Sequence, residues 1–171
     1  MEPSPWVVRF LPLVPVGGQV LDVASGSGRH ARLFLERGHD VVAVDADISG
    51  IADLREDPHL EVVKADLEDG RPFPLAGRSF AGVVVTNYLY RPIMPALVGS
   101  VMPEGVFIYE TFATGNERFG KPRNPDHLLQ AGELLEAVRG KLRVLAYEDL
   151  IVSEPRPAAI QRICATNLRF S

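Results

Sequence analysis

A short stretch near the N-terminus, Val20–His30, constrains the fold more than any other part of the sequence. It passes from an apolar run, through small residues and glycines, into a segment whose apolar side chains recur at helical spacing. This order predicts a buried strand, a tight turn and a helix. Gly26 and Gly28 carry no Cβ, so a ligand can approach the backbone closely, and the start of the helix supplies unpaired N–H groups. The stretch therefore predicts a site that binds a ligand end-on.

Two kinds of ligand use such a turn. Gly26, Gly28 and Ala31 fit the relaxed dinucleotide fingerprint G-x-G-x-x-A, and Asp45 follows near the distance expected of a ribose-binding acid. This pattern alone is weak, and it leaves a small NAD(P)-dependent reductase open as an alternative. A second acid, Asp22, stands inside the predicted strand.

The Asp-x-Ala-x-Gly-x-Gly frame formed by Asp22–Gly28 resembles the first motif of the class I S-adenosylmethionine-dependent methyltransferases. In that family the turn holds the methionine end of the cofactor, whose ammonium group gives Asp22 a charge partner that a pyrophosphate lacks. The resemblance implies S-adenosylmethionine as cofactor and S-adenosylhomocysteine as product. The cofactor-binding residues that it implies at the turn are Asp22, Ala24, Ser25, Gly26, Gly28 and Arg29.

Acidic residues also close the next two predicted strands. The apolar run Val41–Val44 ends in Asp45, and ligands of open parallel sheets bind beyond the carboxyl ends of the strands. Asp45 is therefore predicted to accept hydrogen bonds from both ribose hydroxyls, with Ala46 beside it. The resemblance places Asp66 and Leu67 where the family contacts adenine.

A further strand is predicted over Phe80–Asn87, and the segment after it occupies the position of the family's fourth motif, where methyl group and acceptor meet. Asn87 is predicted to orient the acceptor or to hold the cofactor's ammonium group. Tyr88 and Tyr90 supply an aromatic wall or a hydroxyl, or else simply cover the top of the sheet. The candidate cofactor contacts here are Asn87 and Tyr88, and the candidate catalytic residues are Asn87, Tyr90, Arg91, Glu110 and Arg118.

Residues 113–127 form a long polar segment punctuated by glycine and proline. Loops of this length inside a compact domain are usually lids or binding loops, although a solvated loop is the alternative. Phe119 lies among basic residues, which suits closure over a small anionic ligand. We therefore predict a lid or substrate loop over residues 113–130, with His127 as a candidate general base.

The pattern along the whole chain predicts an α/β fold: a doubly wound, mostly parallel sheet of about seven strands with helices on both faces. An N-terminal helix capped by Ser4 and a connector fill residues 1–18, and two more helices are predicted over Pro92–Met102 and Leu128–Arg139. The runs 142–152 and 158–168 predict a C-terminal antiparallel hairpin. That hairpin is the usual ending of the resembling family and is absent from ordinary dinucleotide folds. Residues 1–171 are expected to form one domain.

Composition narrows the function further. The net charge of −4 argues against nucleic acid or an anionic membrane as a partner. A single cysteine, Cys164, fits a cytoplasmic location, and the four scattered histidines give no support to a metal site. The chain resembles small stand-alone methyltransferases, including the bacterial tellurite-resistance type. We therefore expect a methyltransferase that acts on a small-molecule acceptor, with a reductase or a non-catalytic S-adenosylmethionine-binding module as alternatives.

Overall fold

One sheet of seven strands forms the centre of the computed structural model, which describes residues 1–168. The strands in chain order are β1 (Gln19–Val23), β2 (Asp40–Asp45), β3 (Leu60–Lys64), β4 (Phe80–Thr86), β5 (Val101–Phe112), β6 (Arg143–Val152) and β7 (Ala158–Thr166). Their order across the sheet is β3-β2-β1-β4-β5-β7-β6. The first five are parallel to one another, and β7 is antiparallel to both β5 and β6. The predicted fold class and the C-terminal hairpin are confirmed.

The central strands are apolar because both of their faces are covered. β1, β2 and β4 are buried over almost their whole length, whereas β3 is partly exposed, as predicted for an edge strand. Successive strands are added on one side of β1 and then, from β4 onward, on the other side. This reversal makes the carboxyl ends of β1 and β4 the switch point at which such sheets bind ligands.

Helices cover both faces of the sheet. One apolar cluster packs Trp6 and Phe34 against the sheet, and the cluster on the opposite face contains Leu97 and Leu134. The helices are α1 (Pro5–Phe10), α2 (Arg29–Glu36), α3 (Met94–Gly99) and α4 (Glu133–Val138). Short 3₁₀ turns cover Leu11–Leu13, Ser49–Leu54, Arg91–Ile93, Asn116–Arg118 and Pro125–His127.

The helix predicted over Pro92–Met102 is too long. Val101 instead begins β5, where it pairs with Phe80, and the predicted turn at residues 103–105 is an irregularity inside that strand. Glu104 there has a φ of 67°. Its N–H donates to the carbonyl of Asn167, so a contact distant in sequence stabilises the extended form.

The helix predicted over Leu128–Arg139 begins later, at Glu133. Leu129 is fully buried in an extended conformation and pairs with Ala113, which prevents an earlier start. Gly132, with a φ of 75°, then turns the chain into α4. Residues 70–77 form bends and turns in place of a crossover helix. Within residues 1–168 no helix is long and apolar enough to cross a membrane.

Candidate cofactor and acceptor site

The glycine turn connects β1 to α2 with a backbone that only small residues permit. Gly28 caps α2 in the left-handed region, and a Cβ on it would lie 2.3 Å from Cγ2 of Ile51. Gly26 has a φ of 54° and is exposed, with open space where its side chain would stand. One side of the turn is therefore packed against the protein, and the other is free to meet a ligand.

Asp45 joins the end of β2 to this turn. Its Oδ2 accepts a hydrogen bond from the N–H of Gly26 at 2.8 Å, and its Oδ1 accepts one from the N–H of Asp47 at 2.9 Å. The side chain is only partly buried, and Ala46 next to it is exposed. The sequence prediction that Asp45 lies beside the turn agrees with this geometry. Each carboxylate oxygen can accept a further hydrogen bond from a ligand.

Ser25 carries a hydroxyl group with unmet hydrogen-bonding capacity. Its Oγ is buried and has no hydrogen-bond partner within the described residues, although the turn around it is well bonded. A buried hydroxyl without a partner costs about 1–3 kcal/mol, so a polar ligand group that reached it would recover that energy. The turn thus fits a ligand with polar groups at one end.

Asp22 lies beneath the turn, where it caps α2. Its Oδ2 accepts a hydrogen bond from the N–H of Ala31 at 3.0 Å, and only 3% of the residue is exposed. Burial raises the pKa of this carboxyl to about 7, although the bond from Ala31 and the charge of Arg29 act in the opposite direction. The contact that the resemblance implies between Asp22 and the cofactor's ammonium group stays a prediction.

The N-terminal segment crosses the carboxyl ends of β1 and β4. Arg29 donates hydrogen bonds to the carbonyl of Glu2 at 2.9 Å and to Oγ1 of Thr86 at 3.4 Å. The N–H of Ser4 donates to Nε2 of the buried His30 at 3.0 Å. Burial and the charge of Arg29 lower the pKa of His30 to about 4, so its imidazole is neutral at pH 7. These contacts place the N-terminal segment directly beside the turn.

A cavity of about 320 Å³ lies at the end of β4. Asn87, which has a φ of 54°, begins its wall, and its backbone N–H donates to the carbonyl of Glu110. The Tyr88 hydroxyl donates a hydrogen bond to Oε2 of Glu68 at 3.2 Å. Burial, together with the neighbouring charge of Glu68, raises the pKa of Tyr88 well above its usual range. The other lining residues include Leu89, Thr111, Phe112, Pro122 and His127.

Glu68 is a lining residue that the sequence reasoning missed. It follows Asp66 and Leu67, the residues predicted to contact adenine, and only its place just beyond the end of β3 could have indicated it. Asp66 is exposed, and its Oδ1 accepts a hydrogen bond from the N–H of Glu68, while Leu67 is buried. This side of the site therefore combines an apolar floor with two carboxylates.

Glu110, predicted to be catalytic, lies away from this cavity in an ion-pair network. Its carboxylate accepts hydrogen bonds from the Ser4 hydroxyl at 2.8 Å and from Arg162 at 3.0 Å. Arg162 also pairs with Glu148, and its guanidinium lies 4.7 Å from the centroid of the Trp6 ring. In this position Glu110 holds α1 on the sheet.

Arg91 anchors the segment that was predicted to be a lid. Its guanidinium donates to both carboxylate oxygens of Glu133, at 2.7 and 2.9 Å, and to the carbonyl of Leu128 at 2.8 Å. Arg118 is exposed, and its Nε donates to the carbonyl of Gly115. Tyr90 is partly buried at the start of a 3₁₀ turn and is not among the residues that line the cavity. Within the described chain, no three His, Cys, Asp or Glu side chains form a group that could hold a metal ion.

The segment from β1 to the start of β5 carries the turn, Asp45 and Asn87, and this segment matches a known family model. The model is described as a methyltransferase domain, and the match covers residues 20–101. Residues 20–101 are a methyltransferase domain. Over these residues the predicted resemblance to methyltransferases is confirmed.

Solved structures of methyltransferases share the fold of the whole domain. TehB from Haemophilus influenzae superposes with a TM-score of 0.75 at 17% identity, over 94% of this chain and 61% of its own. This chain thus spans less than two thirds of that protein. No curated protein matches the sequence.

Two further structures hold ligands. The 1,6-didemethyltoxoflavin-N1-methyltransferase of Burkholderia thailandensis, with bound 1,6-didemethyltoxoflavin and S-adenosylhomocysteine, gives a TM-score of 0.71 at 19% identity, over 97% of this chain and 78% of its own. The glycopeptide N-methyltransferase MtfA, complexed with S-adenosylhomocysteine, gives a TM-score of 0.66 at 20% identity, over 98% of this chain and 90% of its own. At these identities the likeness concerns the fold.

Proposed function

We propose that this methyltransferase domain transfers a methyl group from S-adenosylmethionine to a small-molecule acceptor. The observation that carries the proposal is the hydrogen bond from Gly26 to Asp45, which brings together the glycine turn and the acid predicted to bind the ribose. This point lies at the carboxyl ends of β1 and β2, and Asn87, which follows the neighbouring strand β4, begins the cavity.

The residues around the turn fit the two ends of the cofactor. Asp45 has oxygens that can accept hydrogen bonds from the ribose hydroxyls, and the unpartnered hydroxyl of Ser25 suits the polar methionine end. The family resemblance assigns Asp66 and the backbone at Leu67 to the adenine ring. When bound, S-adenosylmethionine supplies an electrophilic methyl group on a sulfonium. The chain's own residues have to align the acceptor and exclude water.

The cavity at the end of β4 is the proposed acceptor site. Phe112 and Leu89 supply apolar walls, and the amide of Asn87 can orient a polar group of the acceptor. Tyr88 stays protonated because its pKa is raised, so its hydroxyl acts as a donor and not as a base. Glu68 and His127 are the lining groups that can take a proton from an acceptor that must lose one.

Ligand-dependent unfolding separates this function from the alternative of a nicotinamide-dependent reductase. S-adenosylmethionine and S-adenosylhomocysteine are expected to raise the melting temperature, since a ligand that binds only the folded state stabilises it. NADH and NADPH are expected to leave it unchanged. Stabilisation by the nicotinamides alone would contradict the proposal.

The role of Asp45 is tested by Asp45→Ala. We expect S-adenosylhomocysteine to bind at least about tenfold more weakly, because hydrogen bonds to a charged group contribute about 1.5–3 kcal/mol. Isothermal titration calorimetry measures the change. Asp57→Ala is the matched control: Asp57 also accepts a backbone N–H, that of His59, but at the amino end of β3. Equal affinities of wild type and Asp45→Ala would remove Asp45 from the site.

Turnover is tested by incubating the protein with methyl-labelled S-adenosylmethionine and a small-metabolite extract. Transfer of label to a small molecule is the expected result, and the labelled product identifies the acceptor. Binding of the cofactor without transfer to any fraction would favour the non-catalytic module. A cytoplasmic location stays a prediction from the sequence.

A further inference from the structure

A second cavity of about 270 Å³ adjoins the proposed acceptor site. Phe112 lines both cavities, and the neighbouring residues Lys121 and Pro122 each line one of them. The second cavity lies between the loop that follows β5 and the turn between β6 and β7, which contributes Arg156. The two cavities are therefore adjacent and share Phe112 as part of their walls.

The charge of this second cavity is positive. Lys121 and Arg156 come from different segments and both line it, whereas none of the lining residues that the structure describes is acidic. The other walls are apolar or amide groups, among them Phe119 and Pro157. Two cations facing one space without a counter-ion repel each other, and an anion between them would relieve that repulsion.

Neither cation is used elsewhere in the described part of the chain. Lys121 and Arg156 make no hydrogen bond or ion pair within residues 1–168, and both are exposed. Several other arginines, in contrast, have a carboxylate partner at 2.7–3.0 Å. These pairs are Arg32–Asp53, Arg78–Glu61, Arg91–Glu133 and Arg162–Glu110.

The wall beneath these cations is held in a fixed shape by Asn116. This residue is 2% exposed, its Nδ2 donates to the carbonyl of Pro122 at 3.1 Å, and its Oδ1 accepts from the N–H of Ala159 at 3.2 Å. A single side chain thus ties the loop after β5 to the start of β7. These two bonds connect the two segments that line the second cavity.

We propose that the second cavity is an anion subsite, in which Lys121 and Arg156 bind a carboxylate or phosphate group of the acceptor. This inference rests on the proposed function, because it extends the acceptor site at Asn87. The acceptor is then an elongated small molecule. One end bears the atom to be methylated, and the other end bears an anionic group that lies beyond Phe112.

The test is a titration of the ¹⁵N-labelled full chain, saturated with S-adenosylhomocysteine, with two anionic probes and two neutral counterparts. The probes are phenylacetate and phenyl phosphate, compared with phenylacetamide and benzyl alcohol. We expect the anions alone to shift the amide signals of residues 119–121, Arg156 and Ala158. The ratio of affinities for the two anions decides between carboxylate and phosphate.

Lys121→Gln and Arg156→Gln are each expected to weaken anion binding at least about fivefold, since each removes one of two charges on the ligand. Arg123→Gln is the matched control, because Arg123 is an exposed cation of the same loop that does not line the cavity. Its affinity for the probes is expected to equal that of the wild type.

Three outcomes would overturn the inference: equal binding of neutral and anionic probes, an equal loss in Arg123→Gln, or shifts confined to basic residues outside the cavity. A separate titration with S-adenosylhomocysteine tests the proposed function itself. Failure of the cofactor to bind would overturn that function. Normal cofactor binding without anion selectivity would overturn only the subsite.

Discussion

Two buried ionisable residues, Asp22 and His30, flank the glycine turn, and burial shifts their pKa values in opposite directions. The pKa of Asp22 rises from 3.8 to about 7, so between those values the folded protein keeps a proton that the unfolded chain releases. Stability then falls as the pH rises. The pKa of His30 falls from 6.5 to about 4, so the unfolded chain binds the extra proton and stability rises with pH. The two contributions oppose each other between about pH 4 and 6.5.

Asp22→Asn isolates one of these contributions while keeping an oxygen that accepts the Ala31 N–H. The free energy of unfolding of the variant minus that of the wild type is expected to rise from pH 4 to 7, by up to about 1.4 kcal/mol per pH unit. Urea unfolding at several pH values measures it. His30→Gln is expected to give the opposite trend between pH 4 and 6.5. A difference that does not vary with pH would show that Asp22 ionises normally in the folded protein.

Ala24 adopts a conformation that glycine adopts more easily. Its φ is 53°, and an L-residue in the left-handed region costs about 1–2 kcal/mol. Ala24→Gly removes that strain, but glycine also increases the conformational entropy of the unfolded chain, which lowers stability by about 0.5–1 kcal/mol. We therefore expect a gain in stability of up to about 1 kcal/mol, measured by thermal unfolding. Ala31→Gly, the same change inside α2, is expected to lose about 1 kcal/mol. A loss in both variants would contradict the assignment of strain.

At the level of secondary-structure elements, the loop after β5 is attached at both ends. Asn116 bonds to Pro122 and Ala159, and Arg91 bonds to Leu128 and Glu133. The sequence indicated the length and polarity of this loop but not these attachments. Arg91 was predicted as a candidate catalytic residue, and its charge is paired with a carboxylate 42 positions away in the chain.

Arg91→Met tests this anchoring role. The variant loses the bonds to the loop and leaves Glu133 without its cation, so we expect a loss of about 1–3 kcal/mol in stability. Amide exchange at residues 126–129 is expected to accelerate more than exchange in the sheet. Hydrogen-exchange mass spectrometry measures both regions. Arg139→Met serves as control, because the Arg139–Glu136 pair is exposed and such pairs contribute little. Equal exchange in the two variants would exclude the anchor.

Strands were predictable from the sequence to within a few residues, because buried parallel strands are continuous apolar runs. The lengths of α3 and α4 were not. Val101 and Leu129 have the apolar character of helix residues, but each pairs with a distant extended segment. Local periodicity contains no information on such pairing, so both helices were predicted too long.

Across the whole molecule, the two halves of the site differed in how far they could be predicted. The proposed cofactor side depends on a contiguous motif and on acids at strand ends, so both Gly26 and Asp45 could be named as candidates from the sequence, and the structure shows that they are in contact. The acceptor side is assembled from separate segments, and Glu68 and Thr111 gave no comparable signal. Glu110 is an acid near the end of a strand, and it was predicted as a candidate catalytic residue. Its partner Arg162 is 52 positions away and invisible to sequence reasoning.

The order of strands across the sheet also has a consequence for how the protein is made. β6 leaves the ribosome before β7, yet within the described sheet β7 is its one neighbour. The backbone of β6 must therefore stay unpaired during synthesis until the later strand arrives to bridge it to β5. The strands that carry the turn and Asp45 are synthesised much earlier. They can therefore pair with each other before β6 and β7 complete the opposite edge of the sheet.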